Sequence, residues 1–250
     1  MSRHHVALLS AILLSAAALA FGKAWLLVVI FLALFTLIGF GVAVPRMRFF
    51  GPFVCQGGKE RRCVALTFDD GPDPVSTPAL LDALREARVE AAFFCVGERV
   101  AANPELALRI VREGHLLENH SYAHHNTTNF FTVSRLKFEL QRTQDIIRES
   151  TGAASRLFRP PMGLSNPRVF RVARELGLTV VGWTTRGLDT KETNPTRVVA
   201  RIRRRLRPGA IILMHDGGLP AARVVANVKS LLDTLHSLRY EVVRLDRMLT

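Results

Sequence analysis

Charge is almost missing from the first part of the chain: between Val6 and Val44 only Lys23 is ionised. That excludes an ordinary water-facing domain there. An apolar run over 6–21 is followed by Gly22-Lys23 and a second run over 24–44. The second is long enough to span a bilayer, which takes about 20 apolar residues, whereas the first is marginal. A cleaved signal peptide is the alternative for the first run. The second run would act as a stop-transfer segment, so a helical hairpin or one long anchor is expected.

Cysteine is also scarce, at three residues, too few for a disulfide framework. Cys95 lies within the apolar stretch 91–96, where a small buried residue is expected. Cys55 and Cys63 flank a turn-like stretch, 56–62, that would allow a disulfide hairpin in an oxidising compartment. Acidic residues are outnumbered, 21 to 34, giving a formal net charge of +13. Coulomb attraction then favours anionic lipid headgroups or anionic glycans, and no nucleic-acid partner is expected. Arg197, Arg201, Arg203, Arg204, Arg205 and Arg207 surround Val198, Ile202 and Leu206 at four-residue spacing. This reads as an amphipathic helix with a basic outer face, solvated in the first reading and against a membrane surface in the second.

With the N-terminal segment set aside, about 200 residues remain, enough for one sizeable core and too few for two typical domains. The expected organisation is a membrane anchor of one or two helices over 1–45, a linker over 46–62 and a single domain over 63–250. Within that domain, short β-branched or aromatic runs at 64–68, 92–96, 115–118, 156–159, 179–183, 210–214 and 240–245 read as strands. Helix-period segments fall between them, for example 77–87, 104–113, 133–150 and 168–176; in the third, Leu136, Leu140, Thr143 and Ile147 share one face. Alternating strands and helices imply right-handed crossovers and a parallel sheet. No glycine-rich dinucleotide fingerprint follows the first strand, so the expected fold is α/β, a seven-stranded (β/α) barrel with its site at the strand C-terminal ends.

Polar residues cluster at those ends. The first strand runs into Asp69-Asp70-Gly71-Pro72, which is either a turn or a pair of carboxylates dividing metal binding and base chemistry. The third leads to His120-Ser121-Tyr122-Ala123-His124, two histidines able to share one metal or to form a polar surface turn. Adding Asp70 supplies a third ligand and leaves an open position for water. The fourth strand ends at Arg159-Pro160-Pro161-Met162-Gly163 and the sixth at Leu213-Met214-His215-Asp216. A histidine just past an apolar strand suits a general acid.

In these four segments and their order the sequence resembles the polysaccharide deacetylase family, from about Cys63 to the C-terminus. The resemblance implies a distorted barrel and a hydrolase of non-peptide carbon–nitrogen amide bonds, removing N-acetyl groups from an amino-sugar glycan with a divalent metal, zinc foremost. It implies Asp69 as base, Asp70, His120 and His124 as metal ligands, Arg159 as partner of the base, and His215 as acid. It also implies the Met162 N–H as oxyanion donor and Leu213 as lining of the acetyl pocket. One motif departs. Where the family has tryptophan followed by Asp-x-x-Asp-Trp, this chain reads Trp183-Thr184-Thr185-Arg186-Gly187-Leu188-Asp189-Thr190. Asp189 keeps the carboxylate that orients the acid histidine, while Arg186 and Thr190 replace an aspartate and an aromatic wall. Arg186 is therefore placed to meet an anionic group such as a phosphate.

Two further readings stand beside this one: a deacetylase or deformylase of a lipid-linked sugar at the membrane face, and a non-catalytic glycan-binding member. The expected location is the cell (inner) membrane, with membrane lipids as neighbours. The side is open. Arg3 precedes the apolar runs and Arg46, Arg48, Arg61 and Arg62 follow, so two spans put both flanks in the cytoplasm, whereas one span puts the domain outside.

Overall fold

Strand β1 (Cys63–Asp69) is buried along its whole length because its two faces meet different partners. Val64, Leu66 and Phe68 point outward into the main hydrophobic cluster, while Cys63 and Ala65 belong to a separate inner cluster. Alternation continues around the sheet, in this computed structural model, which describes residues 2–60 and 62–249. In β2 (Ala92–Cys95) Phe93 and Cys95 face out and Ala92 and Phe94 in; in the later strand 210–215, Ile212 and Met214 face out and Ile211 in. The inner face turns polar toward the strand ends, with Thr67 and Asp69 continuing the row begun by Cys63 and Ala65.

The N-terminal helices α1 (Arg3–Ala20) and α2 (Leu26–Ala43) precede the barrel. After β1 come α3 (Thr77–Glu86), β2, α4 (Gly97–Ala102), α5 (Pro104–Arg112), β3 (Leu116–Asn119), α6 (Val133–Thr151) and β4 (Leu157–Phe158). Then follow α7 (Pro167–Glu175), β5 (Thr179–Val180), β6 (Thr185–Arg186), α8 (Pro195–Arg203), β7 (Ala210–His215), α9 (Ala221–Ser237), β8 (Glu241–Val242) and α10 (Leu245–Leu249). All strand pairs are parallel, in the order β5-β4-β3-β2-β1-β7-β6, with β8 also on β1. Helix boundaries follow local chemistry: Thr132 caps α6, Asn166 and Asn194 cap α7 and α8 ahead of a proline, and Gly152 ends α6 at φ 73°.

The seven expected strands are present, and the fifth differs in an instructive way. The stretch 179–183 is one extended segment whose beginning, β5, lies at one edge of the sheet and whose continuation, β6, lies at the other. Val181 N–H donates to Phe158 O at 2.8 Å and Thr184 N–H to Ile211 O at 2.7 Å, so one segment bridges both edges and curls the sheet into the distorted barrel. Counting β5 and β6 as parts of that segment gives seven strands.

Part of the stretch expected to be a linker is packed into this closure. Phe53 is buried beside α7, Val54 pairs with Val181, and Gln56 bridges Ala210. The same packing corrects the suggested disulfide. Cys55 and Cys63 are both free thiols, held in different clusters, Cys55 against the α6–α7 side and Cys63 inside the barrel. The basic helix forms as α8 with Val198 and Ile202 buried, but it stops at Arg203, so Leu206 packs on the core from the turn beyond it.

Helices α1 and α2 are each 18 residues long and apolar enough to cross a membrane. At 1.5 Å per residue each spans about 27 Å, close to a bilayer core. They pack on each other as a hairpin with both ends beside the barrel. Arg3 Nη1 donates to the Met47 carbonyl at 2.6 Å, His4 N–H to Phe49 O at 3.1 Å, and Ser165 N–H to Val42 O at 3.3 Å. Arg61, counted above in the basic flank, lies outside the described residues.

Candidate active site

Asp69 ends β1, and its register partner on β7 is His215. Both side chains therefore project from the same mouth of the barrel. Asp69 Oδ1 accepts from Arg159 Nη1 at 2.6 Å. Arg159 is wholly buried, and it also donates to Thr67 Oγ1 and Gly182 O, each at 2.9 Å, while its guanidinium lies 4.0 Å from the Phe94 ring. A buried ion pair needs such additional hydrogen bonds to offset its desolvation. Burial pulls the Arg159 guanidinium below its ordinary pKa, opposed by the Asp69 charge.

The two histidines leave β3 in a loop of strained backbone: Ser121 has φ 65° and His124 φ 48°, and Asp70 opposite has φ 74°. Non-glycine residues rarely hold positive φ, and such strain gathers at functional sites. Several groups fix the loop. Glu139, fully buried on α6, accepts from the Tyr122 and Ala123 N–H groups at 3.1 and 3.0 Å. Asn119 Oδ1 accepts from Ser121 N–H at 2.9 Å and Ser121 Oγ from His124 N–H at 3.2 Å. His120 Nε2 lies 3.4 Å and His124 Nε2 3.2 Å from Asp70 Oδ1.

One donor atom from each of Asp70, His120 and His124 falls within a 4.8 Å set. Two imidazoles and a carboxylate are a donor set for zinc, cobalt or nickel, and His120 Nδ1 is held by the Arg159 carbonyl at 2.6 Å, as a ligand-orienting partner would hold it. Burial pushes the Asp70 carboxyl up, but the hydrogen bond from His120 and the charges of His120, His124 and His215 hold it well below the carboxylate range. Burial, together with His120 nearby, lowers the His124 pKa, whereas for His120 burial is outweighed by the charges of Asp69 and Asp70, which raise it. The residues present fit a divalent metal.

On the opposite wall, Asp189 is buried and accepts from His215 Nδ1 at 3.0 Å and from the His215 backbone N–H at 2.8 Å. Burial works against the imidazolium, yet the Asp189 hydrogen bond and charge raise His215 to about 9. Arg223 on α9 anchors the Asp189 loop through the carbonyls of Asp189 and Glu192. Met162 occupies a turn at φ 57°, and its N–H has no acceptor among the described residues. Gly163 beside it, at φ 69°, lets the Trp183 ring approach so closely that a Cβ would collide with it. Leu213, buried on β7, pairs in register with Thr67.

Seven of the ten expected residues, Asp69, Asp70, His120, His124, Arg159, Asp189 and His215, thus meet at one mouth; Met162 stands beside Gly163 in the turn packed on Trp183, and Leu213 pairs in register with Arg186 of β6. The Arg186 guanidinium lies 5.4 Å from the Trp183 ring and lines a cavity against the end of α2. Sequence reasoning passed over Glu139 and Asp216. The signal for Glu139 was a charge between Leu136 and Thr143 on the apolar face of its helix. Asp216 is fully buried and raised to about 7 by that burial; Oδ2 accepts from Thr77 Oγ1 at 2.5 Å.

The sequence profile described as "Polysaccharide deacetylase" matches residues 56–181. A peptidoglycan-N-acetylglucosamine deacetylase of Bacillus cereus is 34% identical over 190 residues, covering 75% of this chain and 88% of that protein. A chitooligosaccharide deacetylase of Bradyrhizobium sp. is 35% identical over 187 residues, covering 74% and 85%. Among solved structures, the peptidoglycan N-acetylglucosamine deacetylase Bc1960 superimposes with a TM-score of 0.75 at 29% identity, covering 79% of this chain and 92% of that one. The chain belongs to the polysaccharide deacetylase family, hydrolases of the N-acetyl amide bonds of glycans.

Proposed function

We propose that this protein is a membrane-embedded, zinc-dependent N-deacetylase of an N-acetylglucosamine-containing glycan, with an anchor over 1–45 and a catalytic domain over 63–250. The observation that carries it is the meeting of Asp69–Arg159, Asp70–His120–His124 and His215–Asp189 at one barrel mouth. Asp70, His120 and His124 would hold a divalent cation, which would supply Lewis-acid polarisation of the acetamide and acidify water. Asp69, fixed by Arg159, takes the proton of the attacking water. The free Met162 N–H donates to the oxyanion, a contact of a kind often worth about 3 kcal/mol of barrier lowering. His215, kept charged by Asp189, then delivers a proton to the departing amine, and acetate leaves. Leu213 walls the methyl group.

A second reading, a deacetylase or deformylase of a lipid-linked sugar, is favoured by the hairpin. Both its ends sit beside the barrel with Arg3, Arg46 and Arg48, and basic flanks stay cytoplasmic. Free buried cysteines suit that reducing side. Acetate release by the detergent-purified chain, with and without chelator and added zinc, tests both readings across chitin oligomers, peptidoglycan fragments and a polyprenyl-linked N-acetylated sugar. Chelator-sensitive release supports the first reading, and release confined to the lipid-linked sugar supports the second. No release from any of them by zinc-loaded protein refutes both. C-terminal reporter fusions check the side.

A further inference from the structure

A cavity of about 390 Å³ lies where the end of α2 meets the barrel. Its walls are Ala43, Val44, Pro45 and Arg46 on one side and the segment 183–188 with the end of α8 on the other, so anything inside touches both anchor and catalytic domain. Its charged lining is entirely cationic: Arg46, Arg186, Arg201, Arg204 and Arg205. Arg201 lies 3.6 Å from Glu192, but no ion pair engages the other four among the described residues. Arg46 is half-buried, and its Nη2 is a buried donor with no acceptor among the described residues. Burial, then the nearby charges of Arg207 and Arg205, depress its pKa, as expected for cations crowded without an anion. Thr184 and Thr185 direct their hydroxyls to the carbonyls of Cys55 and Ile202 and so offer no counter-charge.

Guanidinium groups have donors only, and an unpaired buried donor is costly until an acceptor arrives. Phosphate oxygens match the guanidinium fork. The cavity opens beside the C-terminal end of a helix long enough to cross a membrane; with α2 spanning a bilayer, that end would stand among the headgroups, where lipid phosphates lie. We propose that it is a lipid-phosphate site, in which Arg46, Arg186, Arg204 and Arg205 hold the phosphate of an anionic membrane lipid. The same chemistry has two sources, a bilayer phospholipid or the phosphate link of a lipid-linked sugar substrate. The segment Trp183–Asp189 joins the cavity to the catalytic mouth, since Trp183 packs on Gly163 beside Met162 and Asp189 holds His215. A phosphate seated on Arg186 therefore leaves an attached sugar on the catalytic side. The placement rests on the membrane-face reading above, but the binding does not rest on deacetylation.

The test uses the full chain in detergent, titrated with phosphatidylglycerol, with phosphatidylcholine and with inorganic pyrophosphate, and read by native mass spectrometry. Wild type should bind phosphatidylglycerol in preference to phosphatidylcholine, with pyrophosphate displacing it. Arg46→Gln and the surface variant Arg204→Gln should each weaken it about tenfold, the usual effect of losing a charge-assisted hydrogen bond, with circular dichroism and thermal midpoint kept. If KM for a polyprenyl-diphosphate-linked N-acetylated sugar rises in the variants at constant kcat, the phosphate belongs to substrate. If KM stays while phosphatidylglycerol binding falls, it belongs to the bilayer. Equal binding of the two phospholipids, or variants that bind like wild type, overturns the proposal. Absence of acetate release from every substrate would defeat the deacetylase reading and leave the binding result standing.

Discussion

Replacing Asp189 by asparagine isolates the role of the His215 charge. The substitution is nearly isosteric and keeps one oxygen, which can serve either the His215 backbone N–H or the ring, not both. It removes a negative charge 3.0 Å from the imidazole in a nearly water-free position. Two unit charges at 4 Å attract by about 4 kcal/mol at an effective dielectric of 20. His215 stands at about 9 against an ordinary 6.5, which at 1.36 kcal/mol per pH unit corresponds to about 3 kcal/mol and agrees in scale. Asp69 and Asp70 also support the charge, so the variant should lose about two pH units rather than the whole displacement. A cation on Asp70 offsets part of that remainder, which places the alkaline limb of the loaded enzyme at or below about 9.

The activity loss must then grow with pH. With the acid limb moved from about 9 to about 7, protonation alone predicts almost no loss at pH 6, about fourfold at pH 7.5 and about twenty-five-fold at pH 8.5. The assay is the pH profile of kcat/KM for acetate release by metal-loaded protein. A loss of the same size at every pH would refute the reasoning and leave Asp189 a structural role only. Stability gives a second reading of the same pair. Because the folded pKa is raised, its contribution is fully present below about pH 6.5 and disappears as pH rises through about 9. The difference in thermal midpoint between wild type and Asp189→Asn, measured without metal, should therefore shrink over that window.

Other consequences follow from the same geometry. Asp69→Asn should retain metal but lose most turnover, whereas His120→Ala should lose both; equal metal loss on elemental analysis would undo the division of roles. Glu139→Gln removes the charge that holds the Tyr122 and Ala123 N–H groups and should weaken metal affinity about 10- to 100-fold, as disruption of ligand-orienting contacts commonly does; a chelator competition titration checks it. Asp216 is held near 7 by burial, so its cost to the fold is absent below about pH 3.8 and complete above about 7. Asp216→Asn should raise the thermal midpoint of metal-free protein at pH 8 and change nothing at pH 4; destabilisation at pH 8 would mean that the carboxylate charge is used.

Much of the barrel was legible because strand and helix periods are local: β1 alternates Val64, Leu66 and Phe68 outward with Cys63, Ala65 and Thr67 inward, and that alternation alone sends Asp69 into the mouth. What was not legible depends on contacts between distant segments. The 53–56 stretch read as linker because nothing in its composition announces that Val54 pairs with Val181 across the closing seam. Cys55 and Cys63 looked like a hairpin pair by spacing, yet the seam takes one into the α6–α7 cluster and the barrel takes the other. Arg186 was identified as a residue out of pattern, but Arg46, Arg204 and Arg205, which line the same cavity, come from the segment after α2 and from the turn after α8. The family motifs report catalysis because they lie at strand ends, whose positions the barrel fixes. The cavity at the end of α2 has no such motif, since it exists only where that helix and the barrel meet. Arginines that look like ordinary surface residues in the sequence come to line one cavity only through that packing, so the proposed phosphate site depends on tertiary contacts rather than on a motif.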